Sequence, residues 1–464
     1  MPDPVVDKIL AHVERVAEHG VPEPARSAAK AFVADTLAVG IAGVSTPWRG
    51  ETLNMLAAIG GRDEATVLGS AERLPLLHAA MLNAYQIHGQ EFDCVHEAAV
   101  VHPMAVIFPT LLGWAEREAG VSGPRLLRAI VVAVDIAVSL GLCSRAPMRF
   151  FRPANAGGFG ATAGLAVLAS LDAEQTRDAI GIYYGQCAGT MQAHAEGTPQ
   201  LAMQMGFAAR SAITAIELAR RGMPGPHAPI TGDFGYFALF DGKADPAPFE
   251  ELGTSWRIAE VSYKPYPSGR ATHGGIDALQ RLMTEDNVTA DRVVACRFRV
   301  PPLTARLVGR PAVHGMTVGY ARLCLQYVGA VCLRRGIVGL DDFTPAALAD
   351  PTTFALARRL VVVEDGNPDV NALVPHHVEI DLADGRTVAC TVSSVSGGPE
   401  RPLAPAAARA KFDACWRSMP SLPPEQGAAL WNAVSALETL EDVSILTTLT
   451  HPIGRDRQEA GPAP

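Results

Sequence analysis

The sequence predicts a mainly α protein: a large all-helical domain with a smaller α+β lid domain inserted before the C-terminal helices. Three observations predict it. Apolar residues recur at helical spacing through roughly the first 260 residues. A block rich in β-branched, alternating segments follows, and helical spacing resumes after Pro402 and Pro405. The boundaries read as residues 1–260 and 400–464 for the helical domain and 261–399 for the lid.

In the first block, Ser27 to Val44, Leu77 to Gln90, Met104 to Ala119 and Pro124 to Leu142 read as helices. Pro124 suits a first helical turn, where its missing N–H costs nothing. Gly160 to Leu171, Ala173 to Ala193 and Gln200 to Gly222 follow. Asp172 can cap the second of these, and Gln175 stands three residues on, a capping-box spacing. Several helices are apolar nearly all round, which predicts burial in a bundle or at a subunit interface.

In the second block, Val293 to Val300 alternates and reads as a strand, ended by Pro301 and Pro302. Val378 to Leu382 and Thr387 to Val392 flank Asp384-Gly385, a strong hairpin signal. Helices are predicted between these strands at Gly274 to Thr284 and Val318 to Arg335. Ala406 to Met419 and Pro424 to Leu449 are the returning helices. Gly454 to Pro464 is polar and reads as a loose tail.

Bulk properties narrow the function. A chain of 464 residues with 48% apolar and 19% charged residues has core material for two domains. A net charge of −9 argues against a nucleic-acid partner, which needs a basic surface. It leaves an anionic small molecule open, because a local basic pocket can sit in an acidic protein. The 8 cysteines are scattered with no Cys-x-x-Cys, against both a zinc ribbon and a disulfide framework. The N-terminus has no basic segment leading into an apolar run. Ala129 to Cys143 carries Asp135 and is short for a bilayer span. A cytoplasmic protein without a membrane partner is the expectation.

Three segments can carry chemistry. His88 to Glu97 followed by His102-Pro103 places three histidines and three carboxylates just after a helix. Such a cluster supplies general acids and bases, or metal ligands, or merely a solvated helix end. The spacing of His88, Asp93, His96 and His102 matches no standard zinc pattern. Phe150 to Gly160 joins Arg152 to several glycines ahead of an apolar helix. It reads either as an anion cradle at a helix N-terminus or as close packing of small residues. Ser262 to His273 holds Lys264, Arg270, Thr272 and His273 in a proline-stiffened loop at the domain boundary. It reads as a carboxylate-binding cleft or as a stiff linker.

In order, the chain shows Asp93 … His102-Pro103, then Pro153-x-x-x-Gly157-x-Phe159-Gly160-Ala161, then Ala208-Ala209-Arg210-Ser211 with Arg220 to Pro226. Lys264-Pro265-Tyr266-Pro267 with Thr272-His273 comes next, then Leu437 to Ser444. This order resembles the MmgE/PrpD family, which includes 2-methylcitrate dehydratases, cis-aconitate decarboxylases and iminodisuccinate epimerases. The resemblance implies a homodimer, a site in the cleft between the domains, and no metal and no organic cofactor. It places Asp93, His102, Lys264 and Tyr327 on active-site positions. Arg152, Arg270, His273, Glu97 and Gln204 follow as substrate-binding candidates. Family members commonly carry a histidine where this chain has Arg152, and cations or a histidine near Leu201, Ala202 and Gln204. They often have a small hydroxyl residue at the position of Glu97, and a histidine or cysteine at that of Gly269. Each lost charge-assisted hydrogen bond is worth about 1.5–3 kcal/mol, so a smaller or less charged acid than a tricarboxylate is expected.

The implied chemistry is a cofactor-independent, dehydratase-type lyase reaction: proton transfer at a carbon next to a carboxylate of a small acid. Decarboxylase and epimerase are alternatives within the family. A non-catalytic small-acid binder and a metal-dependent hydrolase lie outside it. In the leading reading Lys264 and Arg152 hold the carboxylate, His102 is the acid/base, Asp93 orients it, and Tyr327 donates from the lid.

Overall fold

The structure is a computed structural model that describes residues 3–452; the tail read from Gly454 to Pro464 lies outside them. The helical part opens with α1 (Pro4–His19), whose N-terminus is capped by Asp3 Oδ1 accepting from Val5 and Val6. It continues with α2 (Glu23–Ala42) and α3 (Arg49–Ile59). A short antiparallel pair, β1 (Ala65–Thr66) and β2 (Arg73–Leu74), leads into α4 (Leu76–Gly89), α5 (Pro103–Glu118) and α6 (Gly123–Leu142). Then come α7 (Arg152–Ala169), α8 (Ala173–Tyr184), α9 (Gln192–Glu196) and α10 (Gln200–Ala219).

The core lies where α4, α5, α6, α7 and α10 pack on one another. Glycines on α7 set its spacing from its neighbours. A Cβ on Gly160 would stand 2.2 Å from the Ala133 carbonyl of α6, and one on Gly157 3.0 Å from Val106 of α5. The Arg152-to-Gly160 segment is therefore the first half of α7 and is not a loop ahead of a helix. Its glycines serve close helix packing, not an anion cradle. α2 is long and apolar enough to cross a bilayer, but thirteen of its residues are buried in this core.

The sequence reading ran some helices too far. α8 stops at Tyr184, because the chain turns at Gly185 and re-forms a helix only at Gln192. Its capping box is present: Asp172 Oδ1 accepts from Gln175 N at 2.8 Å, and Gln175 Oε1 accepts from Asp172 N at 3.3 Å.

The lid carries α11 (Arg270–Glu285), β3 (Val293–Val300), α12 (Pro302–Val308), α13 (Val318–Arg322) and α14 (Leu325–Arg335). After α15 (Pro345–Leu348) and α16 (Pro351–Ala357) come β4 (Leu360–Glu364), β5 (His376–Leu382) and β6 (Thr387–Val392). The sheet order is β4-β3-β5-β6, with β3 and β4 parallel and the other pairs antiparallel. The β5–β6 hairpin pairs Ile380 with Val388 and turns at Gly385, whose φ of 84° suits glycine. α11 covers the sheet and packs against α14. The helix read from Val318 to Arg335 is two: Cys324 adopts an extended conformation between α13 and α14.

α17 (Pro405–Arg417) and α18 (Pro424–Ser435) return to pack on α2, and α19 (Ile445–Thr448) follows. The helix read from Pro424 to Leu449 is broken at Ala436. Lys411 of α17 reaches Asp35 of α2 at 2.7 Å and donates to the Phe92 carbonyl at 2.8 Å. This buried pair ties the C-terminal helices to the segment that carries the site.

Candidate active site

The site is built on the loop between α4 and α5. Glu91 turns the chain just past α4 with a positive φ of 49°. Val95 then pairs with Ser262 at the root of the lid, through bonds of 3.0 and 2.8 Å. His96 pairs back on Val101, and His102 caps α5, with Pro103 in the first turn. This path folds His88, Glu91, Asp93 and His102 onto one point.

Asp93 is fully buried at that point. Its Oδ2 lies 3.0 Å from Nδ1 of His102 and 3.1 Å from Nδ1 of His88. An ionised carboxylate only accepts, so both Nδ1 atoms carry the hydrogen. The two Nε2 atoms are thereby left for other work. That of His88 is buried without a hydrogen-bond partner, 3.7 Å from a Glu91 oxygen. Burial would raise the Asp93 carboxyl, but His88 and His102 hold it well below the usual range. Burial likewise opposes ionisation of Glu91, yet Lys264 and the two histidines bring it down to about 2. The two imidazoles separate. Burial lowers both, but Asp93 and Glu91 outweigh it at His88, which is raised, whereas His102 is lowered.

A cavity opens in front of this group, between the helical domain and the lid. Its polar lining is His88, Glu91, His102, His194 and Arg270; its apolar lining includes Val95, Val100, Phe151, Leu307 and Leu323. His194, on α9, is contacted by Arg310 of the lid, which donates to its carbonyl at 2.9 Å. Burial, then Arg310, lowers this imidazole to about 4, so it is neutral near pH 7.

The predicted site residues fall into three groups. His102 and Arg270 line the cavity. Asp93 and Lys264 stand behind it. The Lys264 ammonium is fully buried, donating to the Glu91 carboxylate at 2.8 Å and the Glu91 carbonyl at 3.1 Å, 4.0 Å from Asp93. It neutralises the carboxylates rather than facing the cavity. Glu97 is the partner of Arg270, accepting from it at 2.6 and 2.9 Å and from Ser262 at 2.8 Å. Together they clamp the lid to the loop.

The remaining four residues are placed elsewhere. Arg152 is buried with its guanidinium spent on the Ala99 carbonyl at 3.1 Å and Ser144 Oγ at 2.9 Å. His273 is enclosed, its Nε2 3.2 Å from the Ser268 carbonyl and its basicity pushed well down by burial and by Arg270. Gln204 accepts from Thr190 N at 2.7 Å and borders a separate small cavity. Tyr327 lies in the lid core, where its hydroxyl donates to the Asp342 carbonyl at 2.6 Å. None of the four lines the cavity, and the Nε2 of Gln204 is buried without a hydrogen-bond partner.

Glu91, His88 and His194 were not among the predicted site residues. His88 and Glu91 lay in the segment singled out, but only the turn at Glu91 shows that they face inward. His194 carries no signal in the sequence, because its partner Arg310 is 116 residues away.

A cation fits this centre poorly. Ligand atoms of His88, Asp93 and His102 lie within 4.8 Å of one another. Both Nδ1 atoms already donate to Asp93, however, and the Lys264 ammonium stands beside the same carboxylate. His96 points away, to Glu260 at 3.1 Å.

A helical domain and an α+β lid, with a buried carboxylate orienting two histidines at the cleft between them, define a protein of the two-domain cleft type. The chain belongs to the MmgE/PrpD family: the N-terminal domain model matches residues 7–248 and the C-terminal domain model residues 266–439. It is 28% identical over 472 residues to the cis-aconitate decarboxylase-like protein oryM of Aspergillus oryzae, covering 96% of this chain and 97% of that protein. It is 27% identical over 437 residues to human cis-aconitate decarboxylase, covering 90% and 89%. The mitochondrial 2-methylcitrate dehydratase of Yarrowia lipolytica is 26% identical over 242 residues, 48% of this chain and 45% of that one.

Proposed function

We propose that the protein is a cofactor-independent lyase that removes CO2 from a small unsaturated carboxylic acid. The observation that carries this reading is the Asp93 carboxylate bound to Nδ1 of both His88 and His102, which leaves both Nε2 atoms for proton transfer. The relatives that match along nine tenths of the chain are named for decarboxylation.

The carboxylate to be lost sits against the apolar wall, where its charge is poorly solvated and leaving as neutral CO2 relieves that cost. The C–C bond breaks and its electron pair stays on the carbon, spread onto the neighbouring unsaturated carboxylate. Arg270 lines the cavity, and to hold that second carboxylate it would have to give up part of its pairing with Glu97. His88 in its protonated form delivers its Nε2 proton to the carbon, and water later restores it. Among the described residues Arg270 is the one arginine or lysine in the cavity lining, and the Glu91 carboxylate lines it too, so an acid with fewer charges than a tricarboxylate fits it best.

Dehydration is the second reading, favoured by the opposite shifts of the two histidines. Neutral His102 takes the proton next to the carboxylate, and charged His88 gives one to the leaving hydroxyl, which departs as water.

Proton NMR in D2O tests both, with wild type, His102→Gln and His88→Gln against cis-aconitate, methylcitrate and smaller unsaturated and hydroxy acids. CO2 release with deuterium placed on the carbon that bore the lost carboxylate, or on the carbon allylic to it, supports decarboxylation. Loss of water supports the second reading. If no acid reacts, the lyase reading fails. Activity is expected to survive a chelator.

A further inference from the structure

We propose that Glu97 is an internal competitor for the substrate's carboxylate: it holds the seat at Arg270 until the acid displaces it, and so sets the affinity of the site for carboxylates. This rests on the reading that the cavity takes a carboxylic acid, and it names a residue that controls which acids enter. Among the described residues, every cation of the cavity lining already has an anion beside it. All three nitrogens of the Arg270 guanidinium donate to protein. Nε and Nη2 reach Glu97 Oε1 at 2.9 and 2.6 Å, Nη1 the Ser396 and Tyr263 carbonyls at 2.7 and 3.3 Å, and Nη2 also the Val395 carbonyl at 3.3 Å. His88 and His102 are bonded to Asp93, and the Nε2 of His88 has a Glu91 oxygen 3.7 Å away. An arriving carboxylate must therefore take the place of an anion that the chain itself supplies.

What holds each of these anions decides which one yields. Asp93 is fully buried between its two histidines. The Glu91 side chain is 10% exposed and bonded to the fully buried Lys264 at 2.8 Å, so its departure would strand an ammonium. The Glu97 side chain is 26% exposed and is held by Arg270 and by Ser262 Oγ at 2.8 Å. It can turn into water, where a carboxylate is well solvated. Arg270 stays in place. Its side chain is 4% exposed, and its bonds to the carbonyls of Tyr263, Val395 and Ser396 do not involve Glu97. One carboxylate then replaces another on a fixed guanidinium, and no buried charge is left unpaired. A neutral ligand cannot make that exchange. Because Glu97 belongs to the loop between α4 and α5 and Arg270 opens α11, the exchange also trades a clamp between loop and lid for a bound acid.

The experiment measures calorimetric Kd values for two simple dicarboxylates, succinate and glutarate, and for the neutral succinamide, in wild type, Glu97→Gln and Glu97→Gln/Arg270→Gln. Glutamine keeps the shape but gives up the charge, and a charge-assisted hydrogen bond is about twice as strong as a neutral one. Glu97→Gln is expected to bind the dicarboxylates about tenfold more tightly than wild type, to bind succinamide no better, and to lose the gain when Arg270 is also replaced. Thermal melts give a second readout: Glu97→Gln should melt below wild type, because Arg270 loses its anion, and succinate should raise its Tm by more than it raises that of wild type. Glu97→Ser, which removes the competitor altogether, should act in the same direction. Dicarboxylate binding that is unchanged or weaker in both single variants overturns the proposal, since a residue that only clamps the lid would give that result. So does an equal gain for succinamide, which would mark a looser lid rather than a carboxylate seat. If the dicarboxylates tighten as expected but no acid is turned over, the exchange stands and the lyase reading falls; if an acid is turned over and the Kd values do not tighten, the lyase reading stands and the exchange falls.

Discussion

Nδ1 of His102 lies 3.0 Å from Oδ2 of Asp93, and this bond decides which nitrogen of the ring can do chemistry. Fixing the hydrogen on Nδ1 aims a bare Nε2 away from the carboxylate. Asparagine at position 93 would keep the shape and lose the charge that holds both rings. Asp93→Asn is expected to lower kcat by about 10²–10⁴-fold, with a much smaller change in KM. Steady-state kinetics beside a thermal melt tests this. A drop in kcat no larger than the loss of folded protein would show that Asp93 only supports the fold.

The fully buried Lys264 makes a different prediction. Its ammonium answers the Glu91 carboxylate at 2.8 Å, so removing it strands a buried anion. Breaking one half of such a pair costs roughly 3–5 kcal/mol. Lys264→Met is expected to lose about that much in denaturant unfolding, and Lys264→Met/Glu91→Gln to recover most of it. If the double variant is no more stable than the single one, the lysine is not there to neutralise Glu91.

Tyr327 is predicted to matter little to turnover. The family resemblance puts it on an active-site position, whereas its hydroxyl binds the Asp342 carbonyl at 2.6 Å in the lid core. Tyr327→Phe removes one buried hydrogen bond, about 1 kcal/mol. It is expected to leave kcat within a factor of a few. A fall of a hundredfold or more would mean that the hydroxyl leaves Asp342 during the reaction.

Acid stability turns on buried histidines. His376, at the start of β5, is packed against Gly274, whose added Cβ would meet its ring at 2.5 Å. Burial lowers its pKa from 6.5 to about 4, as at His194. Between those values the unfolded chain binds the proton and the folded one does not, so stability is full above about pH 6.5 and falls as pH drops towards 4. A shift of this size is worth roughly 3 kcal/mol for His376. Urea unfolding at pH 7 and pH 4.5 is expected to show a smaller difference in His376→Gln than in wild type. An equal difference would place the acid sensitivity elsewhere.

The mainly α class and the β5–β6 hairpin were legible because period and turn chemistry are local: Asp384-Gly385 marks its turn by itself. Asp93 and His102 were legible as site candidates because one loop carries both. What was not legible depends on distance in the chain. Arg152 looks like an anion binder until the Ala99 carbonyl and Ser144 are seen to occupy it. The glycines after it look like a cradle until Ala133 and Val106 are found against them. His194 has no local mark, since only the fold sets it beside the cavity and under Arg310. Breaks within predicted helices, at Gly185 and Cys324, escaped because the residues around them remain apolar and helix-compatible.

The pH dependence of the rate separates the two candidate reactions. His88 is raised above its ordinary 6.5, because Asp93 and Glu91 outweigh its burial; His102 is lowered, because burial outweighs Asp93. Loss of CO2 needs a proton donor and no base. Its kcat/KM should be flat on the acid side and fall only as pH rises past 6.5, where His88 loses its charge. Removal of water needs His102 neutral as well. Its profile should fall on both sides, with an acid limb below 6.5 as His102 gains a proton, and a maximum that spans 6.5. The two rings share one carboxylate, so the limbs report the pair rather than either ring alone. His102→Gln therefore supplies the second readout. It should leave the alkaline limb and much of the rate of a decarboxylase, and abolish turnover by a dehydratase. A profile with an acid limb only, in wild type, would contradict both assignments, because it would mean that no charged histidine takes part.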